Sequence, residues 1–278
     1  MSATITSAAE LSLEALADLF TRSFEAYFYP GITSAHTLAR RVASENIDLL
    51  RSLVLRVDGA PAGVALLAHR GERAWCGGFG ITLPHRGQGH AHTLARALLH
   101  EAHEAGADQL ALEVLARNTP ALHVYERAGM HIARRLLILS WRPAEEPLAQ
   151  GDTAQLEQAD PTALVLGHFA AMHPRPAAWQ REPAALLVLP ELRGLALREG
   201  GQISAYALVQ GEESLRLQDF GARDEAAAAR LLAALQSQAR SITSVNEPAD
   251  SPLTPAFLRA GFLVADEQHE LVAALVGP

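Results

Sequence analysis

The chain has 278 residues and not one lysine, so every positive charge other than histidine is carried by arginine. Cysteine is almost absent too. Cys76 stands alone, which rules out an intrachain disulfide and fits a reducing compartment. No apolar run is long enough to span a bilayer. The first ten residues lack a basic stretch followed by an apolar one, so no signal peptide is expected. A soluble, cytoplasmic protein with no membrane partner is the expectation. Positive charge is also scarce in aggregate: the formal net charge is -8, with no basic stripe. That argues against nucleic acid as a partner, because phosphate binding needs clustered cations. What is present is core material. Hydrophobic residues make up 49% and charged residues 19%, a mixture that packs rather than stays disordered.

The chain reads as two copies of one plan. Val57-Asp58-Gly59 and Arg198-Glu199-Gly200 each lie between two apolar runs, a hairpin signal. Phe79-Gly80 and Phe220-Gly221 follow at the same offset. Tyr125 to Met130 is then similar to Phe257 to Phe262 at a shorter offset, so the second copy has lost residues in between. A stretch rich in Pro, Gly and charge, from Arg142 to Asp152, reads as the linker. It gives domains of residues 1–145 and 152–278, each of ordinary size.

Periodicity in the first copy predicts a strand at Ala3–Ser7 and a helix at Leu13–Tyr27. A second helix, capped by Thr33 or Ser34, should run to about Ala43. Strands are expected at Ser52–Val57, Pro61–His69 and Arg73–Thr82. A long helix from about Gly89 to Ala105 carries Ala91, Leu94, Ala95, Leu98, Leu99 and Ala102 on one face. A strand at Leu110–Val114, a helix opened by Thr119-Pro120 and a last strand at Ile132–Trp141 complete it. The fold class is α/β or α+β, with strands and helices sharing one core.

The stretch that carries chemistry is Pro84-His85-Arg86-Gly87-Gln88-Gly89-His90-Ala91. A glycine-rich loop opening a helix presents backbone N–H groups without intrahelical partners, and with the helix dipole these form an anion site suited to pyrophosphate. Gly87 and Gly89 allow close backbone approach, and Arg86 can add charge. The loop is neither a P-loop nor a complete dinucleotide fingerprint.

The order strand, R-x-x-G-x-A, long helix, Leu112-Glu113-Val114, Asn118, Pro-Ala, Tyr125 and Gly129 resembles the GNAT acetyltransferase superfamily. The resemblance is strong over residues 50–140, fair before them and faint in the second half. It implies two tandem domains, each a mixed, mostly antiparallel twisted sheet flanked by helices. It implies acetyl-CoA as co-substrate, with Arg86, Gly87, Gln88, Gly89, His90 and Ala91 around its pyrophosphate. Gly80, Ile81 and Thr82 would pair with the pantetheine arm along a bulged strand, and Gly77, Gly78 and Gly80 suit such a bulge. Asn118 would contact the cofactor, and Tyr125 would protonate the departing thiolate. Glu113, which alternation sets opposite Leu110, Leu112 and Val114, is the candidate base, with a structural carboxylate as the alternative. Glu25, Tyr27 and Tyr29 fall where the family's first helix ends in a loop lining the acceptor pocket.

The expected reaction is direct acetylation of a primary amine on a small molecule or peptide. Acylation of a hydroxyl or thiol, or a non-catalytic acyl-CoA sensor, are the rivals. With no lysine, self-acetylation of a side-chain amine is excluded. A monomer or homodimer is expected. His90, His92, His100 and His103 show no third ligand, so no metal is expected, and Cys76 reads as a packed thiol. The second copy has Ala222-Arg223-Asp224-Glu225-Ala226 where the phosphate loop belongs and Phe257 in place of the tyrosine. It is expected to bind no acetyl-CoA.

Overall fold

The structure, a computed structural model, describes residues 2–29, 31–143 and 155–275. It contains two compact units: Met1–Ala133 with His269–Pro278, and Arg134–Gln268. The division differs from the one the linker suggested, and residues 144–152 of that linker lie outside the described residues. Strand pairing explains the difference. The strand at the end of the first copy pairs within the second unit, and the second half of the last strand belongs to the first.

In the first unit β1 is Ala3–Ser7, α1 Leu13–Ser23, α2 Ala35–Glu45, β2 Leu53–Val57, β3 Ala60–Arg70 and β4 Arg73–Ile81. Then come α3 His90–Glu104, β5 Gln109–Leu115, α4 Thr119–Arg127 and the start of β6, His131–Trp141. Ser12 Oγ caps α1 by accepting from Ala15 N at 3.2 Å, and Ser34 Oγ caps α2 through Thr37 N at 3.1 Å. These are the orphan donors that every helix start must satisfy. Strands β1 to β5 run in sequence order across the sheet; β1–β4 are antiparallel neighbours and β4 meets β5 in parallel. The last strand of the chain lies beside β5. Leu94, Ala95, Leu98 and Ala102 of α3 are buried as the helical period requires, and Leu94, Leu98 and Ala102 share one core with Leu110, Leu112, Val114 and Leu271.

Helix α1 stops at Ser23, one turn short of the expected end at Tyr27. Ala26 then takes a left-handed φ of 57°. The cause is tertiary: the Arg86 guanidinium donates to Ser23 O at 3.1 Å and to Glu25 O at 2.7 Å, satisfying carbonyls that a longer helix would have used.

The second unit repeats the plan with the rest of β6, then β7 Glu157–Ala159, α5 Pro161–Met172, α6 Pro183–Leu186, β8 Arg193–Glu199, β9 Gln202–Gln210 and β10 Ser214–Ala222. It continues with α7 Glu225–Gln236, β11 Ser241–Pro248, α8 Thr254–Arg259 and the first half of β12 Leu263–Ala274. Its sheet runs β6-β11-β10-β9-β8-β7. Phe220, Phe257 and Phe262 pack ring to ring in its core. Among the described residues no helix is long and apolar enough to cross a membrane.

Candidate active site

The first unit builds a site around a parting of two strands. β4 and β5 pair only at Arg73–Trp75 with Gln109–Ala111, yet β4 continues to Ile81 and β5 to Leu115. Beyond Trp75 they separate. On its other edge β4 carries a bulge: Leu66 faces Gly78 and Leu67 faces Cys76, so Gly77 is the extra residue. A bulge bends a strand away from its neighbour. The glycines are required there. A Cβ on Gly77 would lie 2.7 Å from the Trp75 ring, one on Gly78 2.5 Å from Phe20 Cε2, and one on Gly80 2.8 Å from Ser23 O.

The parting leaves backbone groups of β4 facing the gap. Thr82 N donates to Ala62 O of β3 at 2.8 Å, so by strand alternation Ile81 and Phe79 turn the other way, into the opening. The Ile81 carbonyl accepts from Arg86 Nε at 2.8 Å. Thr82, expected to pair with a cofactor, is instead buried: its Oγ1 is 3.0 Å from Ala62 O and 3.0 Å from His85 Nδ1. Amide-bearing chains such as pantetheine suit the remaining edge.

The loop after β4 leaves a row of backbone donors without partners. Gly87 and Gly89 have φ of 73° and 85°, and a Cβ on either would meet nothing within 4 Å. Glycine is needed there for its backbone conformation, not for lack of room. Among the described residues no carbonyl accepts from the backbone N–H groups of Gly87, Gln88, Gly89, His90 or Ala91. Five such donors at a helix start are an anion site. Gln88 folds its side chain back onto Pro84 O at 2.9 Å. Arg86 differs from expectation. Its guanidinium serves three carbonyls, those of Ser23, Glu25 and Ile81, so it ties α1 to β4 and shapes the loop instead of pointing a free charge at an anion.

Asn118 caps α4 by accepting from Ala121 N at 3.3 Å, which sets the helix that carries Tyr125. Tyr125 is buried, with its ring edge-on to Phe79 at 5.5 Å. Burial holds the phenol ionisation well above its ordinary range, with smaller contributions from Cys76 and Tyr27 nearby. The hydroxyl therefore stays protonated and remains a donor. Cys76 is also protonated: burial pushes its thiol up to about 12, outweighing the hydrogen bond to Gly78 O.

Glu113 occupies the opposite face of β5 from Leu110, Leu112 and Val114, which share a core with Tyr125. There its Oε2 accepts from Trp75 Nε1 at 2.8 Å. The phenol and the carboxylate thus lie on opposite faces of the sheet. The loop after α1 closes one end. Phe20 and Phe24 stack with centroids 4.5 Å apart, and Tyr27 and Phe28 continue the series edge-on at 5.3 and 5.4 Å. Tyr27 is half-buried beside Tyr125, while Glu25 and Tyr29 lie on the exposed part of the loop. Arg117 sits over the rings of Phe28 and Tyr29 at 4.4 and 5.7 Å. Sequence reasoning did not find Trp75, Phe79, Arg117 or Ser23. Ser23 Oγ is buried without a partner. Only Trp75 left a signal, a tryptophan two positions before a glycine pair.

The second unit has the same parting but fills it. β10 and β11 pair in parallel only at Ser214–Leu217 with Ser241–Ser244. Beyond that point Asp219 and Glu247, both buried, are bridged by Arg181, whose NH1 is 2.6 Å from Glu247 Oε2 and whose NH2 is 3.8 Å from Asp219 Oδ1. Tyr206 OH donates to Asp219 Oδ2 at 2.7 Å, and His173 Nε2 is 2.9 Å from Oδ1. The start of α7 is capped by its own Asp224, which accepts from Ala227 N at 2.8 Å. No group of three or more His, Cys, Asp or Glu placed to hold a metal ion occurs among the described residues.

Residues 13–130 match the model of the acetyltransferase (GNAT) family. No curated protein matches the chain. Among solved structures the chain is similar to a GCN5-related N-acetyltransferase from Sphaerobacter thermophilus, at 15% identity over 99% of this chain and 96% of that one, with a TM-score of 0.70. It is similar to a tandem GNAT protein from the clavulanic acid biosynthesis pathway, at 14% identity over 100% of both chains, with a TM-score of 0.68. A GCN5-related N-acetyltransferase from Anabaena variabilis gives 16% identity over 99% of this chain and 73% of that one, at 0.67. At such identities the likeness is one of fold.

Proposed function

We propose that the chain, whose residues 13–130 match the model of the acetyltransferase (GNAT) family, transfers an acetyl group from acetyl-CoA to the primary amine of a small molecule or peptide by direct attack. The observation that carries this reading is a phenol kept neutral on one side of the β4–β5 opening with a carboxylate on the other. When bound, acetyl-CoA supplies a thioester carbonyl and a thiolate leaving group. The chain's own groups do the rest. The free amides from Gly87 to Ala91 hold the diphosphate at the start of α3, and the gap-facing backbone of β4 at Phe79 and Ile81 takes the pantetheine arm, while Gly80 between them turns its backbone groups to β3. The N–H groups of that edge are also placed to stabilise a thioester oxygen as it gains charge. Glu113 accepts a proton from the attacking nitrogen, directly or through water. Tyr125 donates to the departing sulfur. Asn118 lies at the parting, and Glu25, Tyr27 and Tyr29 line the approach of a partly apolar amine.

The second unit takes no acyl-CoA in this reading. Arg181 bridges Asp219 and Glu247 where the first unit is open, and Asp224 occupies the helix start that would hold phosphate.

Two measurements test the proposal. Calorimetry should find one CoA bound per chain, and thiol release from acetyl-CoA should respond to at least one amine in a panel of amino acids, polyamines, aminoglycosides and peptides. Absence of CoA binding would end the account. Binding without turnover on any amine would replace the enzyme with a sensor, and turnover confined to hydroxyl or thiol acceptors would move the acceptor class.

A further inference from the structure

We infer that Trp75 is a positioning residue for acyl transfer: its indole N–H fixes the Glu113 carboxylate at the mouth of the opening. This rests on the reading of Glu113 as the proton acceptor. Trp75 is the last residue of β4 still paired with β5, opposite Ala111. It therefore stands on the rigid side of the parting, at the point where the strands begin to diverge. Glu113, two residues beyond Ala111, stands on the diverging side, where β5 has parted from β4. A carboxylate on a stretch of strand supported from one edge only gains from another anchor to hold one orientation, and the 2.8 Å bond from Trp75 Nε1 to Oε2 is such an anchor.

The indole itself is held tightly. Trp75 is 2% exposed, and Gly77 has no Cβ because one would lie 2.7 Å from Trp75 Cζ3. The Gly77 carbonyl is held in turn by Arg41 NH2 at 2.5 Å. The bulge thus has two effects, opening the gap and seating the ring that orients the base. The choice of donor also fits the chemistry. An indole is a neutral donor, so it orients a carboxylate without cancelling its charge, whereas an arginine would do both.

The test is a double-mutant cycle on the full chain, read as thiol release from acetyl-CoA with the fastest amine of the panel. Trp75→Phe keeps an aromatic ring and removes the N–H. It should lower kcat by about 10- to 100-fold, the range expected when a reacting group loses its alignment, with KM for acetyl-CoA and the calorimetric affinity for CoA within about twofold. In a Glu113→Gln background the same change should cost little more, because the group it orients is gone. Gly77→Ala, which crowds the indole without deleting it, should reproduce the loss and the same dependence on Glu113. An equal loss with and without Glu113 would show that Trp75 acts by packing alone and would overturn the inference. So would a normal kcat in Trp75→Phe beside a slow Glu113→Gln, an outcome that leaves the base role standing. Full activity of Glu113→Gln would remove the base role and Trp75's with it.

Discussion

Tyr125→Phe removes one oxygen from a residue whose other contacts can all persist. The ring stays edge-on to Phe79 and remains in the core with Leu110, Leu112 and Val114, so the variant should fold and bind CoA as before. What it loses is the donor for a thiolate. Proton transfer by a positioned side chain contributes about 10²- to 10⁴-fold. The lower end is the better expectation, because water entering through the opening can protonate part of the leaving sulfur. A ~100-fold fall in kcat corresponds to about 2.7 kcal/mol of transition-state stabilisation. Burial holds this phenol protonated well above its ordinary range, so its ionisation should not produce a falling limb in the wild-type rate profile below about pH 10. The assay is thiol release at saturating acetyl-CoA over a pH series, beside calorimetry with CoA. If affinity for CoA collapses while turnover per bound complex is intact, Tyr125 is a packing residue for the cofactor and the acid role is wrong.

Gly89→Val places a β-branched side chain at a φ of 85°, which strains the loop by about 1–3 kcal/mol; CoA affinity by calorimetry should fall about tenfold or more. Arg181→Met strands Asp219 and Glu247 as buried charges, and a denaturant titration should show the second unit destabilised by about 3–5 kcal/mol. The CoA stoichiometry of that variant should stay at one. In the same cluster His173 Nδ1 faces Phe169 O at 2.8 Å and Nε2 faces Asp219, so both nitrogens meet acceptors and the imidazolium is favoured. Burial pulls its pKa down, but the hydrogen bond and charge of Asp219 overcome this against the opposing charge of Arg181, and the net shift is upward. That stability is complete below the unfolded histidine value of about 6.5 and is lost as pH rises through the higher folded value. Stability measured from pH 6 to pH 9 should therefore decline more in the wild type than in His173→Gln.

Much of the first unit was legible because local rules and tertiary needs agree. The α3 period, the Ser34 cap, the glycine pair of the loop and the alternation that turns Glu113 away from Leu112 all stand as read. The failures share a cause, which is a distant side chain. The apolar period runs on past Ser23 into Phe24 and Tyr27, but Arg86, far along the chain, takes the carbonyls there and ends α1. The same contact withdrew Arg86 from the anion site, and no spacing rule reveals which carbonyls an arginine will find. Trp75 and Glu113 are likewise far apart in sequence and meet only because β4 and β5 pair at that point. The compact units differ from the domains that the linker suggested because strand pairing decides which sheet a flanking strand joins, and the composition of a linker does not reveal it.

Synthesis on the ribosome is directional, and the sheet of the first unit is not. Leu271 and Ala273 share its core with Leu110 and Leu112, and Leu275 N bonds Asp108 O at 2.8 Å. Until that segment has been translated, β5 is a bare edge offering its amides and carbonyls to any passing strand. The first unit is begun first yet completed last, so a nascent chain cannot close this sheet before the second unit has emerged.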